Sequence, residues 1–469
     1  MGARSACAAC VLALLAGCER DPAPAPEIDG RLVVAVRPGP TSWFPGPDGA
    51  PSGFDHDVLM RYVAERRLEV KVVEVESAEA LLAMVATGEA HVGVGGLYPP
   101  PPSTRKADAA RPDPRPVVWT NGYYEVEPVL IYGKGGFKPK SWRDLAGAEV
   151  GYVEATGIVE QLRSARVAHP EVAWKPMSLA SADALIGQVD EGDVDYAVVP
   201  SIDAAVARNV YLDFDVAFTV GPKRDLAWAV TPSRLALRAD IDRFFTKARA
   251  DGLLARFADR YFGHAAQVER IDAGVFQERL RAVLPTYRRM FEDAQVATGV
   301  EWRLLAALAY QESQWDPFAT SDTGVRGFMQ ITEETARHLG IPDRLDPVAS
   351  THGAARYIAA LKAKLPARIA EPDRTWLALA AFNIGAGHLE DARILAQRQK
   401  LNPDLWADVK KALPLLALPE HYSTVKNGYG RGGMPVVFVD RVRAYYDILA
   451  RQEKPLQPRL HAIAPLATP

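Results

Sequence analysis

One helix in the second half of the chain ends in the stretch Tyr310-Gln311-Glu312-Ser313-Gln314-Trp315. Glu312 follows the apolar residues Leu304 and Leu308 at helical spacing, so the three side chains share one face. A carboxyl group on an apolar face loses solvation, which raises its pKa and lets it hold a proton near neutral pH. Such a group suits general acid catalysis of glycoside cleavage. The alternative is a glutamate that turns out to water or pairs with an arginine.

The residues around this stretch predict where the helix begins and ends. Thr298-Gly299-Val300-Glu301 has the form of a capping box, which predicts a helix start. Asp316-Pro317 predicts a stop just after the glutamate, where a rigid helix meets a loop. Asp316 and Asp322 could each serve as a second carboxylate. Their positions, before a proline and in a turn, favour structural roles instead.

The two halves of the chain differ in pattern. From Arg31 to about Phe262, short apolar strands alternate with amphipathic helices, which predicts an α/β domain with largely parallel strands. From about Asp272 to Leu449 the pattern is helical. The predicted domains are residues 31–265 and 272–455, and residues 456–469 are expected to form a flexible tail.

The α/β half contains an internal sequence repeat. A helical segment that starts at Ser77 ends in Gly88 before a strand, and a similar segment runs from Ser181 to Gly192 before another strand. This repetition predicts two similar lobes with a ligand cleft between them. A chance similarity of two amphipathic helices is the alternative.

Residues 1–17 predict a targeting segment, with a positive Arg4 and an apolar stretch too short to span a membrane. Their end resembles a bacterial lipoprotein signal, and this resemblance implies cleavage before Cys18 and lipidation of that cysteine. The alternative is a plain secretory signal with a chance cysteine. Residues 18–30, rich in proline and alanine, predict an extended tether. Glu19, in place of an aspartate, favours anchoring at the periplasmic face of the outer membrane of a Gram-negative cell.

Composition excludes several classes of function. The 469 residues carry a formal net charge of −3, so there is no basic excess for binding nucleic acid. No apolar segment is long enough for a spanning helix. The nine histidines show no metal-ligand spacing, so no metal site and no cofactor are expected.

The α/β half carries two motifs of a known family. Gly53-Phe54-Asp55-His56-Asp57 and Ser103-Thr104-Arg105 resemble segments of extracellular solute-binding proteins of the amino-acid-binding type. The resemblance covers residues 31–262 and implies a two-lobed fold. It also implies that Arg105, with Ser103 and Thr104, binds a ligand carboxylate through two parallel hydrogen bonds. A solvated loop arginine is the alternative.

Two departures from that family bear on the ligand. A run of four prolines, Pro99 to Pro102, stands in the loop before Ser103. Pro200 stands where many members place an aspartate for the ligand's amino group, and Asp203 follows shortly after. These departures weaken the case for a free amino acid. The expected ligand is an amino acid or a peptidoglycan-derived peptide, and its binding is expected to regulate the second domain.

Three glycine-rich turns follow Glu312 in order. They are Gly324-Val325-Arg326-Gly327-Phe328-Met329-Gln330, Ala380-Ala381-Phe382-Asn383-Ile384-Gly385-Ala386-Gly387 and Tyr429-Gly430-Arg431-Gly432-Gly433. Each is weak alone, since the second and third could be ordinary helix caps and Phe382 could simply pack in the core. Together with Glu312-Ser313, the ordered set resembles lytic transglycosylases of the soluble lysozyme-like type, and so implies a helical, lysozyme-like catalytic domain.

That second resemblance implies a reaction on peptidoglycan glycan strands. Glu312 would act first as acid and then as base, and the cleaved bond would be the one between N-acetylmuramic acid and N-acetylglucosamine. The product would carry a 1,6-anhydro ring. The residues implied at the substrate are Ser313, Ser321, Thr323, Met329, Gln330, Phe382, Asn383 and Tyr429. Phe382 stands where the family usually has tyrosine, so stacking is kept and a hydroxyl is lost.

Two other functions remain open at this stage. One is a periplasmic solute- or wall-binding lipoprotein with an inactive catalytic fold, which the intact Glu312 disfavours. The other is a lysozyme-like hydrolase, which would add water where a transglycosylase closes a ring.

Overall fold

The structure is a computed structural model, and it describes residues 30–46, 49–99, 117–153, 158–179, 181–208, 210–264, 270–321 and 324–456. Several predicted features lie outside this part: the segment 1–17, Cys18 with nearly all of the tether, Ser103, Thr104, Arg105, Asp322, Thr323 and residues 457–469. Within the described ranges, no helix combines the length and apolar character needed to cross a membrane.

The α/β half contains all the strands of the described residues. They are β1 (Arg31–Val36), β2 (Phe44–Pro45), β3 (Pro51–Ser52), β4 (Glu69–Glu74), β5 (Val92–Val94), β6 (Val118–Trp119), β7 (Tyr124–Val126), β8 (Pro128–Gly133), β9 (Glu149–Val153), β10 (Ala173–Met177), β11 (Tyr196–Pro200), β12 (Phe214–Thr219), β13 (Arg224–Leu226) and β14 (Ala229–Val230). Its helices are α1 (Phe54–Arg66), α2 (Ala78–Thr87), α3 (Ile158–Ala168), α4 (Ala182–Glu191), α5 (Ser201–Ala207), α6 (Leu235–Ala250) and α7 (Leu253–Phe262), with a 3-10 turn at Trp142–Leu145.

Two five-stranded sheets form the two lobes of this half. The first has the order β4-β1-β5-β14-β6, and the second has the order β10-β9-β11-β8-β12. In each sheet two neighbouring pairs are parallel and two are antiparallel. The prediction of largely parallel pairing is therefore wrong for half of the pairs. The antiparallel pairs form where the chain crosses between the lobes. In lobe two β8, the first strand after the crossing, runs against β11 and β12, and in lobe one β14, which follows the return, runs against β5 and β6.

The internal sequence repeat corresponds to one helix and the strand that follows it in each of the two lobes. Ser77 caps α2 and Ser181 caps α4, each by accepting a hydrogen bond from the backbone N–H three residues on. Gly88 and Gly192 end these helices with φ of 82° and 84°, a left-handed conformation that glycine adopts without strain. The following strands, β5 and β11, lie at the centre of their sheets. The prediction of two similar lobes is confirmed.

A short ribbon joins the lobes, because β7 pairs antiparallel with β13 between the two crossings of the chain. Such a pair of crossing strands is a hinge of the kind that lets lobes close on a ligand.

The second half is helical. Its helices are α8 (Arg270–Ala282), α9 (Leu284–Thr298), α10 (Trp302–Ser313), α11 (Glu333–His338), α12 (Pro347–Lys364), α13 (Asp373–Ile384), α14 (Ala386–Arg398), α15 (Trp406–Ala412), α16 (Pro419–Tyr422) and α17 (Gly433–Gln452), with a 3-10 turn at Leu413–Ala417. Helix α10 packs against α9 and α17, and every residue from Trp302 to Tyr310 is buried. One hydrophobic core serves the whole half.

The predicted capping box before α10 is not formed. Thr298 belongs to the last turn of α9, where its hydroxyl donates to the Ala294 carbonyl, and Gly299 ends that helix with φ of 74°. Glu301 is the cap instead, because its carboxylate accepts the backbone N–H of Leu304. Thr298 and Glu301 have the spacing of a capping box only because the end of α9 and the start of α10 are adjacent in the sequence.

The helical half contacts both lobes. Helix α7 packs on lobe one. Its Arg260 donates to Asp57 of α1 at 2.8 Å and to Asp373 of α13, in the helical half, at 2.7 Å. Arg451 at the end of α17 lies 3.6 Å from Asp183 of lobe two. Movement of one lobe relative to the other must therefore change at least one of these contacts.

Candidate active site

Glu312 is the penultimate residue of α10, at the end of a fully buried helical segment. The residues that share its face, Leu304 and Leu308, lie in the core as the spacing predicted. Ser313 beside it is buried, and its hydroxyl donates to the Ala309 carbonyl at 3.2 Å. The Ser313 proton is therefore used by the helix, and this residue supports the helix end in the way that buried serines often do.

The helix end is held by backbone conformation and a buried indole. Gln314 and Trp315 both adopt left-handed backbone, with φ of 54° and 61°, so the helix stops before Asp316-Pro317 is reached. Trp315 is only 1% exposed, and its indole N–H donates to the Ala306 carbonyl at 2.8 Å. Because the indole packs back under α10, the carboxyl group of Glu312 sits on a rigid support.

Burial raises the pKa of Glu312 to about 8. Loss of solvation is the cause, and among the described residues no cation acts to stabilise the carboxylate. The side chain is crowded by protein, yet it keeps one partly accessible edge. Among the residues the structure describes, no hydrogen bond or ion pair holds this carboxyl group. The alternative of a glutamate paired with an arginine is thus not what the geometry shows, and the burial favours the protonated form of the group.

Asp316, the nearer candidate for a second carboxylate, has a different environment. It is exposed, and its Oδ1 accepts the backbone N–H of Phe318 at 2.9 Å. This hydrogen bond closes a small turn of the kind that aspartate favours. The placement supports the structural role expected for Asp316.

The first glycine-rich turn is a hairpin next to this helix end. Thr320 and Arg326 form an antiparallel bridge, and Ser321 lies exposed at the tip, its hydroxyl accepting the Val325 N–H. Gly327 has φ of 102° and leaves no room for a side chain, because an added Cβ would lie 2.9 Å from the Arg344 carbonyl. The glycine is therefore required by both conformation and space.

The amide nitrogen of Gln330 bonds to the backbone of the hairpin, so it is not free to contact the substrate. Its Nε2 donates to the carbonyls of Ala319 at 3.2 Å and Gly327 at 2.8 Å. Its Oε1 is buried and has no partner within the described structure. Met329 is 0% exposed and packs in the core.

The second turn lies at the end of α13. Phe382 is half-buried, with its ring 5.8 Å from that of Tyr357, and Asn383 is exposed. Gly385 ends the helix with φ of 92°. An added Cβ at Gly387 would meet the Asn427 side chain at 2.8 Å, so this glycine lets the second turn approach the segment before the third.

Tyr429 of the third turn is 56% exposed, and its ring meets Tyr422 edge-on at 5.7 Å. Asp391, which is buried on α14, holds the preceding segment. Its carboxylate accepts the backbone N–H groups of Lys426 and Asn427 and the Asn427 amide, at 2.9–3.2 Å. Sequence reasoning missed Asp391, because nothing in the pattern of α14 marks it apart from other helical carboxylates.

The cleft between the two lobes is lined by polar and charged residues, of which only Asp203 was named from the sequence in connection with the ligand. Arg37, Thr41, Tyr98 and Asp203 border it, and its volume is about 30 Å³, room for roughly two waters. Thr41 of lobe one donates to Asp203 of lobe two at 2.8 Å. Burial raises the pKa of Asp203 to about 6, against the lowering effects of Thr41 and Arg37. Arg37 directly follows β1, a position at a strand's carboxyl end that could have indicated a ligand residue.

Comparisons with known proteins agree with both halves. Residues 289–404 match the family described as Transglycosylase SLT domain, and residues 32–264 match Bacterial extracellular solute-binding proteins, family 3. Membrane-bound lytic murein transglycosylase F of Methylobacillus flagellatus is 38% identical over 446 residues, covering 94% of this chain and 92% of the relative. The proteins of the same name from Nitrosospira multiformis and Thiobacillus denitrificans are each 39% identical, covering 94% and 96% of this chain and 91% and 94% of theirs. Both resemblances inferred from the motifs are confirmed.

Proposed function

The chain belongs to the membrane-bound lytic murein transglycosylase F family, and from this premise we propose that Glu312 is its single catalytic carboxylate. The chain is a peptidoglycan lytic transglycosylase with a solute-binding domain in front of its catalytic domain. The observation that carries the proposal for Glu312 is its environment. Burial raises its pKa to about 8, so the carboxyl group holds its proton at neutral pH.

One carboxyl group can carry the whole reaction. Protonated Glu312 gives its proton to the glycosidic oxygen as the bond to C1 of N-acetylmuramic acid breaks. The resulting carboxylate then takes the proton of the C6 hydroxyl as that oxygen bonds to C1, which closes the 1,6-anhydro ring. Glu312 ends protonated, as it began, and no water is consumed. The substrate's own N-acetyl group is proposed to stabilise the cationic centre, as in substrate-assisted glycosidases.

The geometry divides the proposed substrate residues into two groups. Ser321, Asn383 and Tyr429 are exposed and can contact sugar, and Thr323, which lies outside the described residues, is proposed with them from the family resemblance alone. Phe382 offers a half-buried ring for stacking. The remaining residues act from below the surface, where they hold the helix end, the core and the hairpin: Ser313, Met329 and Gln330.

The products released from purified sacculi test this function. The wild-type chain is expected to release muropeptides with anhydro ends, which mass spectrometry distinguishes from hydrolysed ends by the mass of one water. Water-added ends would instead establish a lysozyme-like hydrolase. Sacculi left intact by a folded protein would establish a binding protein without catalytic activity.

The protein is membrane-associated, and lipidation of Cys18 is the proposed anchor at the periplasmic face of the outer membrane. Acyl chains on Cys18 would bury methylene groups in the bilayer, and the tether would let the folded domains reach the wall. Cys18→Ser is expected to move the protein from the outer-membrane fraction to the soluble fraction of cells. Unchanged sedimentation of Cys18→Ser with outer membranes would exclude this anchor.

The first domain is proposed to regulate the second by binding an amino acid or a short muropeptide. Arg37 and Asp203 place opposite charges in the cleft, as a ligand with a carboxylate and an amino group requires. Because the helical half contacts both lobes, through Arg260 and through Arg451, a change in lobe angle reaches the catalytic domain. The ligand residues Ser103, Thr104 and Arg105 remain proposals from sequence.

A binding and turnover experiment tests this regulation. Free amino acids and muropeptides are first screened by thermal shift against the full chain carrying Glu312→Gln, which cannot consume them. Each binder whose affinity falls at least tenfold in Asp203→Asn is then added to wild-type enzyme and sacculi. A change in turnover that Asp203→Asn removes supports regulation. Binding at the cleft without any change in turnover refutes it.

A further inference from the structure

A second cavity lies at the junction of the two halves, away from both the lobe cleft and Glu312. Its volume is about 280 Å³, close to the lower end of small-molecule sites. Helix α7 supplies one wall, with Arg256 and Asp259, and the helical half supplies the other, with Trp376, Trp406 and Arg443. The cavity thus has walls from both domains and is complete only when they are joined.

Positive charge predominates around this cavity. Four arginines and two aspartates line it: Arg61, Arg256, Arg260, Arg443, Asp259 and Asp373. Three of these arginines form ion pairs. Arg61 pairs with Glu65, Arg260 pairs with Asp57 and Asp373, and Arg443 pairs with Asp440. Within the described part of the chain, Arg256 has none, and its guanidinium donates only to the Asp251 carbonyl at 2.9 Å.

The walls also hold more unused donors than acceptors. Four buried N–H groups have no hydrogen-bond partner in the described structure: Arg256 Nε, Arg443 Nε, Trp376 Nε1 and Trp406 Nε1. Among the acceptors of the lining residues, only Asp259 Oδ2 is also buried without a partner there. Each of these atoms exposes almost no surface of its own, so together they make the layer behind the wall rich in donors without contacting a ligand directly. The rest of the wall is apolar, with Phe257, Leu253, Leu405 and Ala407.

We infer that this junction cavity binds a small carboxylate that has an apolar body and an N–H or O–H donor. The carboxylate pairs with Arg256, which has no carboxylate partner in the described structure. The N–H or O–H of the ligand faces Asp259, and its body packs on the apolar wall of Phe257, Leu405 and Ala407. An N-acylated amino acid has this chemistry and this size. Because the walls come from two domains, such a ligand also binds the joined arrangement in preference to a separated one.

A matched pair of probes tests the site in the full chain. N-acetyl-L-phenylalanine is expected to bind at least tenfold more tightly than N-acetyl-L-phenylalaninamide, which lacks the carboxylate. Binding is measured by the shifts of the Trp376 and Trp406 indole N–H resonances, assigned by Trp→Phe substitution. Arg256→Gln should weaken binding of the acid at least tenfold and leave the amide nearly unchanged. Arg281→Gln, an exposed arginine that does not line the cavity, is the control.

A second variant guards against an effect of Arg256 on folding. Ala407→Phe fills the cavity without touching its charges and should abolish binding of both probes, with thermal unfolding unchanged. The inference is overturned if the acid fails to shift either indole at millimolar concentration, which means that the cavity holds only water. It is also overturned if the acid binds equally well to wild type, Arg256→Gln and Ala407→Phe, because the binding then lies elsewhere. Neither outcome depends on turnover by Glu312.

Discussion

Glu312→Gln is expected to release anhydro-muropeptides roughly a thousandfold more slowly than the wild-type chain, within the range known for loss of a general acid or base. The amide keeps the shape of the side chain and cannot exchange the proton. Glu334→Gln, at an exposed glutamate in α11, is the matched control and should keep full activity. A Glu312→Gln rate within tenfold of wild type would assign the chemistry to another group.

The pH dependence of the wild type follows from the same residue. The acid form of Glu312 starts the reaction, and burial raises its pKa to about 8. Activity due to this group should therefore persist through neutral pH and fall as the pH rises through about 8. An ordinary glutamate would lose its proton near pH 4.5, so a wild-type rate that already falls between pH 5 and 6 would contradict the raised pKa.

Glu312→Gln should also stabilise the catalytic half, and the gain should depend on pH. In the unfolded chain the carboxyl group ionises at about 4.5, whereas in the fold it does so at about 8. The folded state therefore binds the proton more tightly, and its stability falls as the pH rises from about 4.5 to about 8. The neutral amide escapes this penalty. At pH 7 the expected gain in unfolding free energy is on the order of 3 kcal/mol.

Urea denaturation at several pH values measures this gain. The difference between Glu312→Gln and wild type should be near zero below pH 4, where both side chains are neutral, and should grow up to about pH 8. Glu334→Gln, at an exposed position of α11, serves again as the matched control. A difference that stays constant across the pH range would show that burial does not shift the titration of Glu312.

Hydrophobic periodicity predicted part of the core elements, and it did not indicate α6, α14 or α15, which also contribute buried residues. The strand β5 and the buried face of α10 both lie where the pattern placed them, because burial of apolar side chains determines the period. The pattern could not predict strand direction, which depends on where the chain returns between lobes. It also misplaced the helix cap, because Thr298 and Glu301 belong to two different helix ends.

The candidate site was predictable where chemistry and sequence order coincide, as at Glu312. Gln330 shows the opposite case, since its donors bond to backbone carbonyls that only the folded hairpin brings within reach. Asp391 and Asp203 depend on contacts with residues far away in sequence. Such long-range hydrogen bonds leave no mark in a single sequence.

The ionic contacts at the junction have a consequence for cutting the chain in two. Arg443 is buried in the helical half, and it donates to the backbone carbonyls of Asp259 and Arg260 on α7. Asp373 in turn accepts from Arg260. A shortened chain that begins at α8 would expose this arginine and leave the aspartate with fewer donors. The catalytic half thus takes hydrogen-bond partners for its buried polar groups from the neighbouring domain, and separation would leave those groups to water.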